Sequence, residues 1–386
     1  MKKLFFIYVL LCCCSFAHAQ STRKVGLFAP LYLDSVFKDN NYQYGKKFPR
    51  FALQGIDFVQ GAQIALDSFP IANCTIDLSI FDSKADSLSV DSLINSGRLN
   101  GLNMIIGAIK DNELTRLAAF AKTKNIPFIS ATYPNDAGIT ANPNVVILNS
   151  TLKTHCEGIF SYLLQNNSND NIIHVRQSGN QEDRVASYFN AINKPDNKPL
   201  LKIKTMNLDS NYAILKTALD STRKNVIICG SLDEDFASAI AGIIASSPKK
   251  YDIMLIGMPN WESFGAFGKN QREAWKDLSI YYTSAYYNEK SDNLSLMLID
   301  TYLKNYKGKP SEAAYKGFEC MYLFSRLLNL YPENFTQHLN DHAFKVFSDF
   351  NFMPSRQSSV SGAINYYENK HLFFLKKSKG IVTKDW

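Results

Sequence analysis

Short apolar runs alternate with segments of helical spacing along most of the chain. Runs such as "LNMIIGAI" (102–109) are continuously apolar, as expected for strands that are buried on both faces of a sheet. Between them, segments such as "GIDFVQGAQIALDSF" (55–69) repeat apolar residues every three or four positions, which is typical of an amphipathic helix. The alternation of around nine strands with helices predicts an α/β fold with two doubly wound lobes.

The last hundred residues follow a different pattern. Two helices are predicted in succession, at 295–308 and 311–331, with no strand between them. The segment 361–382 is predicted to form a β-hairpin, with "YENKH" as its turn and an alternating, partly basic second strand.

The first residues predict export. Lys2 and Lys3 precede an apolar stretch at 4–14, and Ala17-His18-Ala19 resembles a signal-peptidase site, so residues 1–19 are predicted to be a cleaved signal peptide. The alternative is a lipoprotein acylated at one of the residues 12–14, which is less favoured because no small residue precedes any of these cysteines. No later segment has the ~18 uninterrupted apolar residues of a membrane span. We therefore expect a periplasmic or secreted protein that does not span a membrane.

Charge and cysteine content narrow the classes of function. Removal of Lys2 and Lys3 with the signal peptide lowers the formal net charge from +7 to +5, and this mild excess gives no argument for a nucleic-acid partner. Four cysteines remain without metal-ligand spacing, and their apolar surroundings predict free, buried thiols: Cys74, Cys156, Cys229 and Cys320.

Motifs of catalysis are missing from the sequence. It contains no GxSxG, P-loop, HExxH or GxGxxG motif. His338 and His342 are four residues apart, but without a third ligand they are better interpreted as one polar helix face than as a metal site. We expect neither an enzyme nor a bound cofactor or metal.

Several short motifs occur in a characteristic order: "KVGLFAPL", Gly55 with Gly61-Ala62 in the first helix, "IIGAI", "NIPFISATYPN", "NPNVVILNST" and "KGKPSEAAYKGFECMYLFSRLL". Each motif is short, but the order of motifs and elements is matched over nearly the whole chain after the signal peptide. In this order they resemble the type I periplasmic binding proteins, in particular the branched-chain amino-acid (leucine/isoleucine/valine) binding family.

The resemblance implies two lobes joined by three hinge crossings, with a ligand held between them at the carboxyl ends of the strands. It implies a first lobe of 21–150 plus 286–332 and a second of 151–285 plus 333–386. The implied function is an exported receptor for a small, amino-acid-like ligand that serves an ABC-type transport or sensing system through a membrane permease. The alternative is an interaction module of the cell envelope that keeps the fold but has lost amino-acid binding.

The resemblance assigns ligand contacts in the first lobe to the tip of the "FIS" strand. There Ser130, Ala131 and Thr132 are the candidates, because hydroxyl and backbone groups can meet a carboxylate or an ammonium. The alternative for these residues is a turn or a helix cap. Ile109 and Lys110 stand where the family has a serine; Lys110 is a candidate for an anionic ligand or an ordinary solvated residue.

In the second lobe, three candidates follow two other predicted strands, and a fourth lies at the second crossing. Asp233 and Glu262 offer carboxylates for an ammonium, and Trp261 offers a ring for stacking. Tyr286 lies at the second crossing. Their alternatives are a helix-capping charge for Asp233 and ordinary packing for the aromatic rings. The aromatic residue that the family often has after the strand "NIIHVRQ" is missing, which favours the interaction module.

Residues 34–54 form a longer loop than the family usually has at this place. The loop combines four basic residues with several aromatic ones. Three interpretations remain open: a cover for the ligand site, a contact for a partner, or a plain surface excursion.

Overall fold

The computed structural model describes residues 21–71, 74–86, 88–268, 275, 277–356 and 362–386; the predicted signal peptide, 1–19, lies outside the described residues. The chain divides into two units. The first contains the chain up to Asn149 together with Asn288–Asn369, and the second contains Ser150–Tyr287 together with Lys370–Trp386. The polypeptide therefore passes from one unit to the other three times.

The first unit is built on a sheet whose described part has seven strands in the order β13-β14-β7-β6-β5-β1-β4. All neighbours pair in parallel except β13, which is an antiparallel edge strand. The strands of the sheet are β1 (Ser21–Ala29), β4 (Cys74–Asp82), β5 (Met104–Gly107), β6 (Phe128–Ser130), β7 (Val145–Ile147), β13 (Phe352–Arg356) and β14 (Ile364–Asn369).

Six α-helices, two 3-10 helices (Phe335–Gln337 and His342–Phe344) and a small separate hairpin complete the described part of this unit. The helices are α1 (Leu33–Val36), α2 (Arg50–Ser68), α3 (Val90–Asn95), α4 (Asp111–Lys124), α8 (Asn293–Tyr306) and α9 (Glu312–Leu330), and the hairpin is formed by β2 (Phe37–Lys38) and β3 (Asn41–Tyr42). Every residue of β5 is buried, which agrees with the continuous apolar run that predicted it.

The second unit has its own sheet, in which the described strands follow the order β16-β15-β12-β11-β10-β8-β9. Five neighbouring strands are parallel and β15 and β16 are antiparallel additions. The elements are β8 (Asn171–Arg176), β9 (Ile203–Asn207), β10 (Asn225–Cys229), β11 (Ile253–Ile256), β12 (Ile280–Ser284), β15 (Phe373–Ser378), β16 (Ile381–Lys384), α5 (Leu152–Asn166), α6 (Asn180–Asn193) and α7 (Glu234–Ala245).

These two mostly parallel sheets confirm the predicted fold class. All five residues of the central strand β10 are buried, and the aliphatic and aromatic side chains around them form one core cluster. None of the described helices combines the length and the apolar character that crossing a bilayer requires. The four cysteines predicted to be free thiols are unpaired and buried.

The predicted hairpin at 361–382 is wrong. Its first half, β14, pairs with β7 in the first unit, and its second half, β15, pairs with β12 in the second unit. The segment predicted to be its turn therefore contains the third crossing, between Asn369 and Lys370. An alternating pattern specifies a strand but does not specify the strand with which it pairs.

The same crossing corrects the predicted boundary of the second lobe. Residues 333–369 belong to the first unit, and only 370–386 belong to the second. The buried carboxylate of Glu319 on α9 is one reason, because it accepts hydrogen bonds from the backbone N–H groups of Phe347 and Ser348 at 3.0 and 2.6 Å. In the second unit, Tyr212–Ala218 forms a 3-10 helix.

Helices α2 and α9 pack with their backbones in close contact at two glycines. A Cβ atom on Gly61 would lie 1.9 Å from the carbonyl oxygen of Ala314, and one on Gly317 would lie 1.9 Å from that of Phe58. No side chain can occupy such a space, so the glycine spacing seen in the sequence is a requirement of this helix pair.

We expect Gly317→Ala to destabilise the protein by about 1–3 kcal/mol, because the helices must separate to admit the methyl group. Gly242→Ala in α7 is the matched control, since its nearest non-local atom would be 4.0 Å away, in ordinary contact. This control should be neutral or stabilising by about 0.5–1 kcal/mol, because alanine has the higher helix propensity. Urea unfolding followed by circular dichroism measures both, and equal midpoints for the two variants would contradict the packing argument.

Candidate functional site

The carboxyl ends of the parallel strands meet at one edge of the first sheet. Gly107, Ser130 and Ile147 are the last residues of β5, β6 and β7, and they are register partners of one another across the sheet. The segments that follow these strands therefore start side by side. In open α/β sheets this is the edge where ligands bind.

Two of the three residues predicted at the strand tip are enclosed. Ser130 and Ala131 are both fully buried, and the backbone N–H of Ala131 donates to the carbonyl oxygen of Gly107 at 2.9 Å. The Ser130 hydroxyl has no hydrogen-bond partner among the described residues. Neither residue presents a surface to a solute, and the predictions for these two positions are corrected accordingly.

Thr132 is the residue of the tip that remains accessible. It is half-buried, and its carbonyl oxygen accepts a hydrogen bond of 2.7 Å from the side-chain amide of Asn149. Its hydroxyl makes no hydrogen bond within the described part of the chain, so it forms neither the turn nor the helix cap that was its alternative. The backbone is thus held in place while a donor and acceptor group stays available.

The amino end of α4 lies next to this tip. Lys110 occupies the N-cap position with an exposed side chain that makes no cap hydrogen bond, whereas Ile109 packs into the core. The carboxylate of Asp111 accepts a hydrogen bond of 2.7 Å from the Tyr133 hydroxyl, which links the segment after Thr132 to the start of the helix. This hydrogen bond is the main cause that raises the pKa of Tyr133 to about 12.

Sequence reasoning missed three residues here: Asp111, Tyr133 and Asn149. Asp111 has a φ angle of 54°, a left-handed backbone conformation that aspartate tolerates better than most residues. For Asp111 and Tyr133, the available signal was their position shortly after a predicted strand. Together with Lys110 and Thr132 they offer a cation, a carboxylate and a hydroxyl beside the free N–H groups of a helix start.

A pocket of about 330 Å³ lies within the first unit between the loop after β4 and the start of α4. It falls in the size range of small-molecule sites. Lys84 Nζ and Glu113 Oε1 form an ion pair of 2.5 Å, and Arg116 pairs with Asp91 at 3.3 Å. The hydroxyl of Ser83, which also lines the pocket, is buried without a hydrogen-bond partner among the described residues. The lining thus presents both signs of charge.

The candidates of the second unit are mostly engaged in its own structure. Asp233 is the N-cap of α7, where its carboxylate accepts from the backbone N–H of Phe236 at 2.7 Å, as its alternative predicted. Trp261 is fully buried, stacks on Phe267 at 5.0 Å between centroids, and donates its ring N–H to the carbonyl oxygen of Ser231. The prediction that Trp261 offers a stacking surface is therefore wrong, because its ring fills the core.

The other two candidates of this unit remain at the surface. Glu262 is exposed, and its carbonyl oxygen accepts from Lys377 Nζ at 3.4 Å. Tyr286 is half-buried, and its backbone N–H and carbonyl group both bond the hydroxyl of Ser284, at 3.3 and 2.8 Å. Both side chains keep part of their surface exposed, and the ligand contacts assigned to them stay predictions.

A buried polar network occupies the carboxyl edge of the second sheet. Ser231 donates its hydroxyl to Glu182 Oε1 at 2.7 Å and accepts from the backbone N–H of Asp233 at 3.1 Å, which joins α6 to the loop before α7. The ring of His174 packs directly against Gly230. A Cβ atom on Gly230 would lie 2.1 Å from His174 Nε2. Burial, with a smaller contribution from Arg176, lowers the pKa of His174 to about 4.

A family model described as "Periplasmic binding protein" matches residues 50–339. Among curated proteins, no sequence matches the chain.

Many solved structures share the fold at low sequence identity. A putative branched-chain amino acid ABC transporter protein from Rhodospirillum rubrum is 12% identical with a TM-score of 0.65, covering 94% of this chain and 99% of its own. An ABC transporter substrate-binding protein from Desulfitobacterium hafniense, in complex with Leu, is 12% identical with a TM-score of 0.58, covering 94% and 100%. A branched-chain amino acid periplasmic ligand-binding protein from Burkholderia xenovorans is 11% identical with a TM-score of 0.60, covering 94% and 92%.

Removal of two buried hydroxyl groups should have different effects on the free energy of unfolding. Ser130→Ala should leave the unfolding free energy within about 0.5 kcal/mol of wild type or raise it, because the hydroxyl it removes has no partner. Ser231→Ala should lower it by about 1–3 kcal/mol, because it leaves Glu182 Oε1 without its buried donor. Denaturant unfolding of the two variants provides the measurement, and a larger loss in Ser130→Ala would contradict this interpretation of the tip.

Acid should destabilise the protein through His174. The residue is neutral in the folded state down to its pKa of about 4, while in the unfolded chain it gains a proton below its ordinary value of 6.5. Its contribution is therefore fully present above pH 6.5 and falls by about 3 kcal/mol as the pH drops to 4. Between pH 6.5 and 4, the free energy of unfolding of wild type should therefore fall by about 3 kcal/mol more than that of His174→Gln. Denaturant unfolding of both proteins across this pH range measures the difference. Parallel curves of unfolding free energy against pH would exclude this role of His174.

Proposed function

Because the chain belongs to the periplasmic binding protein family, we propose that it is an exported solute-binding receptor for a small, polar, amino-acid-like ligand. The proposal includes service to an ABC-type transport or sensing system, with a membrane permease as partner. Proteins that share its fold include one described as a substrate-binding protein in complex with Leu, although at 12% identity that likeness concerns the fold alone.

The proposal depends on the hydrogen bonding of Thr132. Its carbonyl group is fixed by Asn149 at 2.7 Å, while its hydroxyl makes no hydrogen bond within the described residues. A hydroxyl at the ligand-binding edge of a parallel sheet, on a held backbone and without a structural role, is suited to bind a solute.

The charges around the tip support an amino-acid-like ligand in particular. Lys110 and the start of α4 favour a carboxylate, since the N–H groups of a helix start and a nearby cation both attract anions. Asp111 provides an acceptor for an ammonium group within the same cluster. A zwitterion can bind both the cationic groups and the carboxylate of this cluster, whereas a simple anion or cation can bind only one of them.

The second candidate function is an interaction module of the cell envelope on the same fold. Two observations favour it. Ile109 is buried in the core where the family has a serine, and the ring of Trp261 is enclosed and cannot stack on a solute. In this alternative the surface serves a partner and the site no longer holds an amino acid.

A thermal-shift screen with the twenty amino acids and short peptides tests the first function. We expect one ligand to stabilise the protein, by about 2.7 kcal/mol at a concentration of 100 Kd. Thr132→Ala should weaken that binding by about fivefold, since it removes one hydrogen bond worth roughly 1 kcal/mol. Thr123→Ala is the matched control, because the hydroxyl of Thr123 bonds within its own helix to Ala119.

The outcomes separate the two functions. Stabilisation that Thr132→Ala weakens and Thr123→Ala preserves supports the receptor. A flat screen, with envelope proteins or glycan co-purifying with the chain, supports the interaction module. Stabilisation that is equal in both variants would place the ligand away from the tip and refute the assigned site.

A further inference from the structure

The loop between β1 and α2, together with the first turn of α2, exposes an unusual amount of apolar surface. We name residues 31–54 the aromatic excursion. Its exposed apolar side chains are Leu33, Phe37, Tyr44, Phe48, Phe51 and Leu53, each between 39% and 45% exposed. Scattered single apolar residues are normal on a protein surface, but six of them within one short segment form a patch of the kind that marks an interaction surface.

The rings of the excursion pack on one another. Tyr42 is at the centre, with its ring centroid 5.7 Å from that of Phe37, 6.1 Å from Tyr44 and 6.4 Å from Phe48. The Tyr42 hydroxyl also donates to the carbonyl oxygen of Lys47 at 2.6 Å. The patch is therefore an organised surface whose geometry exists before any partner binds.

The base of the excursion is fixed by one carboxylate. Asp82, at the end of β4, accepts hydrogen bonds from the backbone N–H groups of Leu31, Tyr32 and Leu33 at 2.9, 3.1 and 2.7 Å. Tyr32 has a φ angle of 56° there. This anchoring holds the chain where it leaves the sheet, so binding would cost little ordering of the segment.

The same surface is basic. Lys38, Lys46, Lys47 and Arg50 are all exposed, and none of them forms an ion pair or side-chain hydrogen bond with the residues that the structure describes. Only two acidic residues, Asp34 and Asp39, belong to the excursion. Exposed rings and leucines interspersed with unpaired cations are complementary to a layered surface, in which an anionic outer layer covers an apolar interior.

We propose that the aromatic excursion binds the surface of a bilayer that contains anionic phospholipid. The rings and leucines enter the boundary between headgroups and acyl chains, and the lysines and the arginine lie at the level of the phosphates. A protein partner fits less well, because lysine is depleted in the cores of protein interfaces and three of the four cations are lysines. The inference is independent of the proposed ligand site.

Co-sedimentation of the purified protein with lipid vesicles tests the proposal. We expect binding to phosphatidylcholine vesicles that contain about 30% phosphatidylglycerol, weaker binding when salt is raised, and little binding to phosphatidylcholine alone. The charge variant Lys46→Glu/Lys47→Glu and the apolar variant Phe37→Ser/Phe48→Ser should each reduce the bound fraction by about tenfold.

Matched controls exclude general effects of charge and hydrophobicity. Lys249→Glu/Lys250→Glu makes the same charge change on exposed residues of the second unit, and Leu200→Ser/Ile381→Ser removes two apolar side chains that are 51% and 67% exposed. Both controls should bind vesicles as wild type does, and all variants should keep the wild-type circular dichroism spectrum.

Three results would overturn the proposal. The first is no sedimentation with anionic vesicles, and the second is equal binding by the excursion variants and their controls. The third is a dimer in size-exclusion chromatography that only the excursion variants abolish, since this would assign the surface to a second copy of the chain.

Discussion

Parallel pairing in one register is the constraint on which the rest of the structure depends. Because Gly107, Ser130 and Ile147 are register partners at the ends of their strands, three loops must begin at one edge of the first sheet. The second sheet repeats this arrangement with Cys229 of β10 beside Val175 of β8. A parallel sheet needs helices on its faces, so the backbone hydrogen bonds of the strands are buried and the polar groups of the molecule concentrate at the edges.

The two edges use their polar groups differently. In the second unit, Ser231 and Glu182 bond each other, and Asp233 caps a helix, so these side chains stabilise the junctions between strands and helices. In the first unit, Thr132 and Lys110 have no such role within the described chain. Groups that a fold does not need for its own stability are the ones available for binding, which is why the first unit contains the better candidate site.

Solved structures share this fold over more than nine-tenths of the chain at only 11–12% sequence identity. The fold therefore requires few particular residues. Buried strands need apolar residues of suitable volume, and many sequences satisfy that need. The contact between α2 and α9 is more demanding, because the backbones touch at Gly61 and Gly317. A ligand site depends on individual side chains, so the shared fold leaves the solute a proposal.

The sequence by itself determined the elements whose cause is local. Continuous apolar runs specified buried strands such as β5, and helical spacing specified α2 and α9. Pairing partners and burial depend on residues distant in the chain, and only the tertiary structure decided them. Sequence could not reveal that β14 and β15 belong to different sheets, that the ring of Trp261 fills a core, or that Ser130 is enclosed while Thr132 is accessible. A side chain after a strand is polar or apolar by its own chemistry, but whether it meets solvent is decided by the neighbours that the fold brings to it.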